Sequence, residues 1–216
     1  MPMDWYEAEV RDLEARLKKI TVACPAVFYG SSSIRMWDTL AQDLAIPNAV
    51  NAGFGGSTLE ACVYFFDRLI PPLHPASLVV YAGDNDLGDG KTPEQVLTSF
   101  RGLALMVERK LGSIPFGYIS IKPSPARAGI LDRIRRANQL IQAEIGNLPS
   151  AYWIDVFTAM LDQSSKPRPE LFLEDGLHLS RKGYQLWAEL LAPHRHLIVI
   201  EDCRKRDTGR LSLQKA

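Results

Sequence analysis

Five short apolar runs recur along the chain: AVFYG (26–30), NAVNAGF (48–54), SLVVYAG (77–83), FGYISI (116–121) and YWIDVF (152–157). Between and after them lie segments with helical apolar spacing, near 34–44, 58–70, 93–111, 130–146 and 181–192. A strand with one wet face alternates apolar and polar residues, whereas these runs are apolar through most of their length. Strands read this way when helices cover both faces of a parallel sheet, and a parallel connection needs a crossover about as long as a helix. The alternation therefore predicts an α/β fold: a three-layer α/β/α sandwich around a five-stranded parallel sheet of flavodoxin-like strand order. Ahead of the first run, Tyr6, Val10, Leu13, Leu17 and Ile20 recur at four- and three-residue steps and predict an amphipathic helix.

The 216 residues suit one sizeable core, with no interdomain linker and no repeat. Residues 1–200 are expected as a single domain. The aperiodic EDCRKRDTGRLSLQKA (201–216) is expected as a loosely packed tail. Two helix starts carry sequence signatures. Ser57-x-x-Glu60 reads as a capping box, and Thr92 followed by Pro93 and Gln95 reads as another with proline at the first helical position.

Twenty-five basic side chains against 25 acidic ones leave no formal net charge, hence no electrostatic footprint for nucleic acid or an anionic membrane. No apolar stretch reaches the length of a membrane span. The charged N-terminus lacks the apolar core of a signal peptide. Cys24, Cys62 and Cys203 form no CxxC pair and no metal-ligand spacing, and are expected to be thiols in a reducing compartment. A cytoplasmic protein is expected, without membrane insertion, nucleic-acid partner, metal or other cofactor. Oligomeric state has no signal in the sequence.

Ligands of open parallel sheets sit outside the carboxyl ends of the strands, so the chemistry is sought just after each run. There lie GSSS, GFGGS, AGDND, KPSPAR and a loop ending in EDGLHLS. GSSSI lacks the second glycine of a G-x-S-x-G nucleophile elbow, and GFGGST lacks full dinucleotide-binding spacing. Four stretches in fixed order, GSSSIRMW, NAGFGGST, GDND and DGLH, resemble instead the diagnostic blocks of the SGNH hydrolases, or GDSL esterase/lipase family. The similarity runs from about residue 26 to 190.

The resemblance implies roles position by position. Gly30 and Trp37 set the register that makes Ser32 the nucleophile. Asn51, Gly53 and Gly56 match N-x-G-x-x-G, with Gly56 an oxyanion donor. Gly83 and Asn85 match G-x-N-D, with Asn85 a second donor, and D-x-x-H supplies Asp175 and His178. The residue types suit the chemistry. A serine hydroxyl needs a base, a histidine base needs an acceptor to fix its tautomer, and a tetrahedral intermediate needs donors. Backbone N–H groups of Ser32 and Gly56 with the Asn85 amide would supply three.

Two positions depart from the family pattern: Ser31 replaces the aspartate of GDS, and Ala52 replaces a common polar residue. Ser31 reads as structural, Ser33 as a helix cap, and Ser180 as the cap of the helix behind His178. KPSPAR offers Lys122 and Arg127 either as ligands for a polar or anionic part of the substrate or as charges on a rigid connector.

The implied activity is hydrolysis of a small-molecule carboxylic ester with a short acyl group, acetylated carbohydrate among the candidates, through an acyl-serine intermediate. An acyltransferase would use the same residues and pass the acyl group to a sugar or alcohol. A non-catalytic binding module on this fold would be favoured by loss of Ser32, Asn85 or His178, all of which are present.

Overall fold

The computed structural model describes residues 3–201. The tail expected over 201–216, Cys203 included, lies outside the described residues from position 202 onward. Five strands form one sheet: β1 (Ala26–Gly30), β2 (Ala49–Gly53), β3 (Ser77–Tyr81), β4 (Phe116–Ile119) and β5 (Ala151–Ile154). Every neighbouring pair is parallel, in the order β2-β1-β3-β4-β5, so the doubly wound arrangement is borne out.

The helices are α1 (Glu7–Leu17), α2 (Ser32–Arg35), α3 (Leu40–Asp43), α4 (Leu59–Leu69), α5 (Asp84–Gly88), α6 (Pro93–Leu111), α7 (Leu131–Ile145), α8 (Arg181–Leu191) and α9 (Arg195–Ile198). Side chains alternate across the pleat, and this divides the interior into two cores. Val27 and Tyr29 of β1 pack with apolar stripes of α1, α4, α6 and α7. Ala26 and Phe28 point the other way, toward α2, α3, α8 and α9. At about 25 cal/mol per Å² of apolar surface removed from water, these two layers supply the main drive to fold.

Local signals meet three corrections. The helix expected over 34–44 is two short helices, α2 and α3. The Ile34 carbonyl accepts from Trp37 N–H, only three residues on, at 3.0 Å and from Asn51 Nδ2 at 2.6 Å, so the α-helical ladder stops there. The helix expected to start at a Ser57 box is instead capped by Thr58, whose hydroxyl accepts from Ala61 N at 3.1 Å. Ser33 does not cap: the N-cap of α2 is Ser31, and Ser33 lies buried inside the first turn. The Thr92 box and the Ser180 cap form as expected. Cys62 is a buried free thiol. Cys24 is disulfide-bonded, against the expectation of free thiols throughout.

Candidate active site

The carboxyl ends of β1, β2 and β3 place three of the four sequence blocks side by side. Gly30 ends β1 at φ +129°, and a side chain there would collide with the Tyr81 carbonyl, so only glycine admits this approach. Ser31 N–H donates to that same carbonyl at 2.9 Å, which aims the chain into α2. Ser32 is therefore the first residue of α2, partly exposed, between two buried serines. Ser31 serves the backbone, as its missing carboxylate suggested.

Beyond β2, Gly56 has φ +63° and lies under the Trp5 ring. Its carbonyl accepts from Tyr6 Oη at 3.2 Å, while the N–H of Gly55 donates to Glu9 Oε1 at 2.9 Å. The N-terminal segment thus grips the Gly55–Gly56 turn from one side. Beyond β3, Asn85 lies in the first turn of α5, and its Nδ2 donates to the Ser57 carbonyl at 3.0 Å. Asp86, fully buried, accepts from Leu59 N at 2.8 Å and from Lys91 Nζ at 3.1 Å. The G-x-N-D aspartate therefore locks α5 to the start of α4. That lock holds Asn85 against the Gly56–Ser57 backbone.

The fourth block lies in the loop before α8. Asp175 Oδ1 accepts from the N–H groups of Leu177 and His178, at 2.8 and 3.0 Å, so the aspartate folds its own loop. Its Oδ2 lies 2.6 Å from His178 Nδ1. The histidine contact, followed by the two backbone donors, holds the Asp175 carboxyl down at about 2. The loop is tied to the nucleophile side through α8: Tyr184 Oη donates to the Ser33 carbonyl at 3.1 Å, and Trp37 stacks on Tyr184 at 5.1 Å. Trp37, which set the register in sequence, is the buried wall between α2 and α8.

Sequence reasoning left Lys122 and Arg127 undivided, and the structure separates them. Lys122 is 2% exposed, with Nζ 2.6 Å from Asp84 Oδ2 and 3.2 Å from Tyr81 Oη. Arg127 approaches the other oxygen of Asp84, with Nε at 3.4 Å. Trp5, Tyr6 and Glu9 had no signal in the sequence as neighbours of the site, Tyr6 reading only as an apolar position of the first helix, because residues some fifty positions apart meet only through packing. Among the described residues, no group of three or more His, Cys, Asp or Glu side chains is gathered to hold a metal ion. No helix among them is long and apolar enough to cross a membrane.

The fold and the placement of these side chains are those of a doubly wound α/β protein with its site at the carboxyl edge of the sheet. Residues 11–186 match the GDSL-like Lipase/Acylhydrolase family, and the chain belongs to it. The fold is also that of solved structures. A GDSL-like lipase from Bacteroides thetaiotaomicron has 20% identity over 87% of this chain and 97% of its own, with TM-score 0.72. The lipase/acylhydrolase from Enterococcus faecalis has 24% identity over 78% and 93%, with TM-score 0.63. A carbohydrate esterase family 3 protein from Talaromyces cellulolyticus has 15% identity over 78% and 94%, with TM-score 0.61. Among curated proteins, none matches the chain by sequence. The enzyme is a GDSL/SGNH-type carboxylic ester hydrolase.

Proposed function

We propose that Ser32, His178 and Asp175 form the catalytic triad and that the enzyme hydrolyses esters with short acyl groups. The observation that carries this is the Asp175–His178 contact of 2.6 Å in a loop that α8 docks against the helix beginning at Ser32. Asp175 accepts from Nδ1–H, which leaves Nε2 as the base. His178 takes the Ser32 proton as Oγ bonds the ester carbonyl carbon. It then returns that proton to the alkoxy oxygen as the carbon–oxygen bond breaks. Water, activated by the same nitrogen, releases the acyl group and restores Ser32.

The oxyanion would be met by the N–H of Ser32, the N–H of Gly56 and the Asn85 amide. Tyr6 and Glu9 fix the carbonyl of Gly56 and the amide before it, so the turn is held before substrate arrives. Asn85 spends one amide proton on Ser57 and retains the other.

Short acyl groups are supported by the brief connections after β1, β2 and β3, which leave little chain there to wrap a long acyl group. Further methylenes stabilise a complex by about 0.8 kcal/mol each only where they are buried. The similarity in fold to a carbohydrate esterase makes acetylated carbohydrate the natural class to try first. The test is kcat/KM along a p-nitrophenyl series from acetyl to decanoyl, with Ser32→Ala as the blank. Acetyl and butyryl esters should lead. A steady climb to decanoyl would instead reveal a deep acyl channel.

A further inference from the structure

The two cations of KPSPAR have different fates. Lys122 is buried beyond the ends of β3 and β4 and donates to Asp84 and Tyr81, with its ammonium also 5.4 Å from the Tyr81 ring centre. Arg127 keeps a quarter of its side chain exposed, and Asp84 is its one ion-pair partner among the described residues. Its buried Nε makes no hydrogen bond, and neither do the buried Oδ1 of Asp84 and the buried hydroxyl of Ser124. Two cations therefore share one carboxylate, leaving a surplus positive charge. Among the described residues, the other nearby carboxylates form no ion pair with Arg127: Asp86 is engaged by Lys91, Asp132 by Arg135 and Asp175 by His178, and Asp89, next to Gly88, does not reach it.

The position of this charge matters as much as its sign. The Arg127 guanidinium lies across Gly88, where any side chain would overlap its carbon and both terminal nitrogens. Gly88 is three residues after Asn85 on α5, hence about 5–6 Å along the same helix face. On the other side, Ala126 N–H donates to the Gly176 carbonyl at 3.0 Å, and Pro125 also packs on Gly176, inside the Asp175–His178 loop. Arg127 thus stands between the helix of Asn85 and the loop of His178. A guanidinium laid flat on a glycine beside the Asp84 carboxylate leaves its terminal N–H groups as a planar fork, the geometry that binds a carboxylate or phosphate in two bonds.

We propose that Arg127 is the anion-binding element of the substrate site, and that the preferred esters carry a negative charge on their alcohol portion. This rests on the hydrolase reading above. The alcohol side follows because His178 must hand its proton to the leaving oxygen, so the departing alcohol lies on the side of the loop against which Pro125 and Ala126, the residues just before Arg127, are packed.

The experiment compares two acetyl esters of one shape, para-acetoxybenzoate and para-acetoxybenzamide. The wild-type ratio of their kcat/KM values should favour the anion and fall as salt is raised. Arg127→Gln should reduce that ratio by at least about tenfold, the effect of losing a charge-assisted bond, with Arg127→Lys in between. An unchanged ratio in Arg127→Gln overturns the proposal. So does a change confined to a hemisuccinate and butyrate pair, which would put the anion on the acyl side. If Arg127→Gln does not fold, product inhibition of the wild type decides. Para-hydroxybenzoate should inhibit at least about tenfold better than para-hydroxybenzamide, and equal inhibition overturns the proposal. Failure of the hydrolase reading is recognised separately, as turnover surviving in Ser32→Ala. Calorimetry of para-hydroxybenzoate with Ser32→Ala, with and without Arg127→Gln, then tests the anion subsite alone. Equal binding to both would sink it.

Discussion

The Lys122 ammonium lies 2.6 Å from Asp84 Oδ2, with both side chains buried, so the end of β4 is clasped to the residue just before Asn85. Removing one partner of a buried ion pair strands the other charge, at a cost of about 3–5 kcal/mol. Lys122→Met should fall near the low end, about 3 kcal/mol, since Arg127 still faces Asp84. The double variant Lys122→Met/Asp84→Leu should recover most of that loss. Urea unfolding midpoints measure both, and a single variant as stable as the wild type would mean the clasp contributes nothing.

The identity of the nucleophile can be read by covalent labelling. A fluorophosphonate should modify Ser32, the one partly exposed serine of the three. Ser32→Ala should abolish labelling, while Ser31→Ala and Ser33→Ala retain it. Peptide mapping that finds the adduct on either buried neighbour would shift the register by one.

Asn85→Ala should lower kcat about a hundred- to a thousandfold in a folded protein, the effect of deleting one preorganised oxyanion donor, about 2.7–4 kcal/mol. The resting bond from Asn85 to Ser57 predicts little change in stability beyond about 1 kcal/mol. Wild-type kcat with a native unfolding transition would take Asn85 out of the mechanism.

Acid stability should depend on Asp43. The Arg181 guanidinium, 2.6 Å from Oδ1, and then Trp37 and Thr39 hold its carboxyl at about 2, below the 3.8 of a free aspartate. A carboxyl depressed on folding stabilises the protein above its unfolded value, and that contribution disappears as pH falls through the folded one. Asp43 should therefore supply about 2 kcal/mol at neutral pH, lost between about pH 4 and about pH 2. Asp43→Asn should be less stable at neutral pH and show a flatter decline over that window. Denaturation curves against pH check it. Parallel declines in the two proteins would assign acid sensitivity elsewhere.

Fold class was legible in the chain because its determinants are local. Apolar runs the length of strands, helical periodicities between them and the Thr92 box all act within one element, and they suffice for the α/β class, whereas the order β2-β1-β3-β4-β5 is set by which strands pair. The D-x-x-H pair was legible for the same reason, since Asp175 reaches His178 across three residues. Long-range packing decided the rest. Asn51, remote in sequence from Ile34, donates to its carbonyl at the point where one expected helix becomes two. Asp86 claims Leu59 N–H, and the α4 cap moves from Ser57 to Thr58. Tyr6 and Glu9 reach the Gly55–Gly56 turn across some fifty residues. Lys122 and Arg127 sit five positions apart in one stiff segment, and periodicity cannot tell them apart. Tertiary structure buries the first against Asp84 and leaves the second facing outward, because which charge is desolvated depends on what the rest of the chain packs around it.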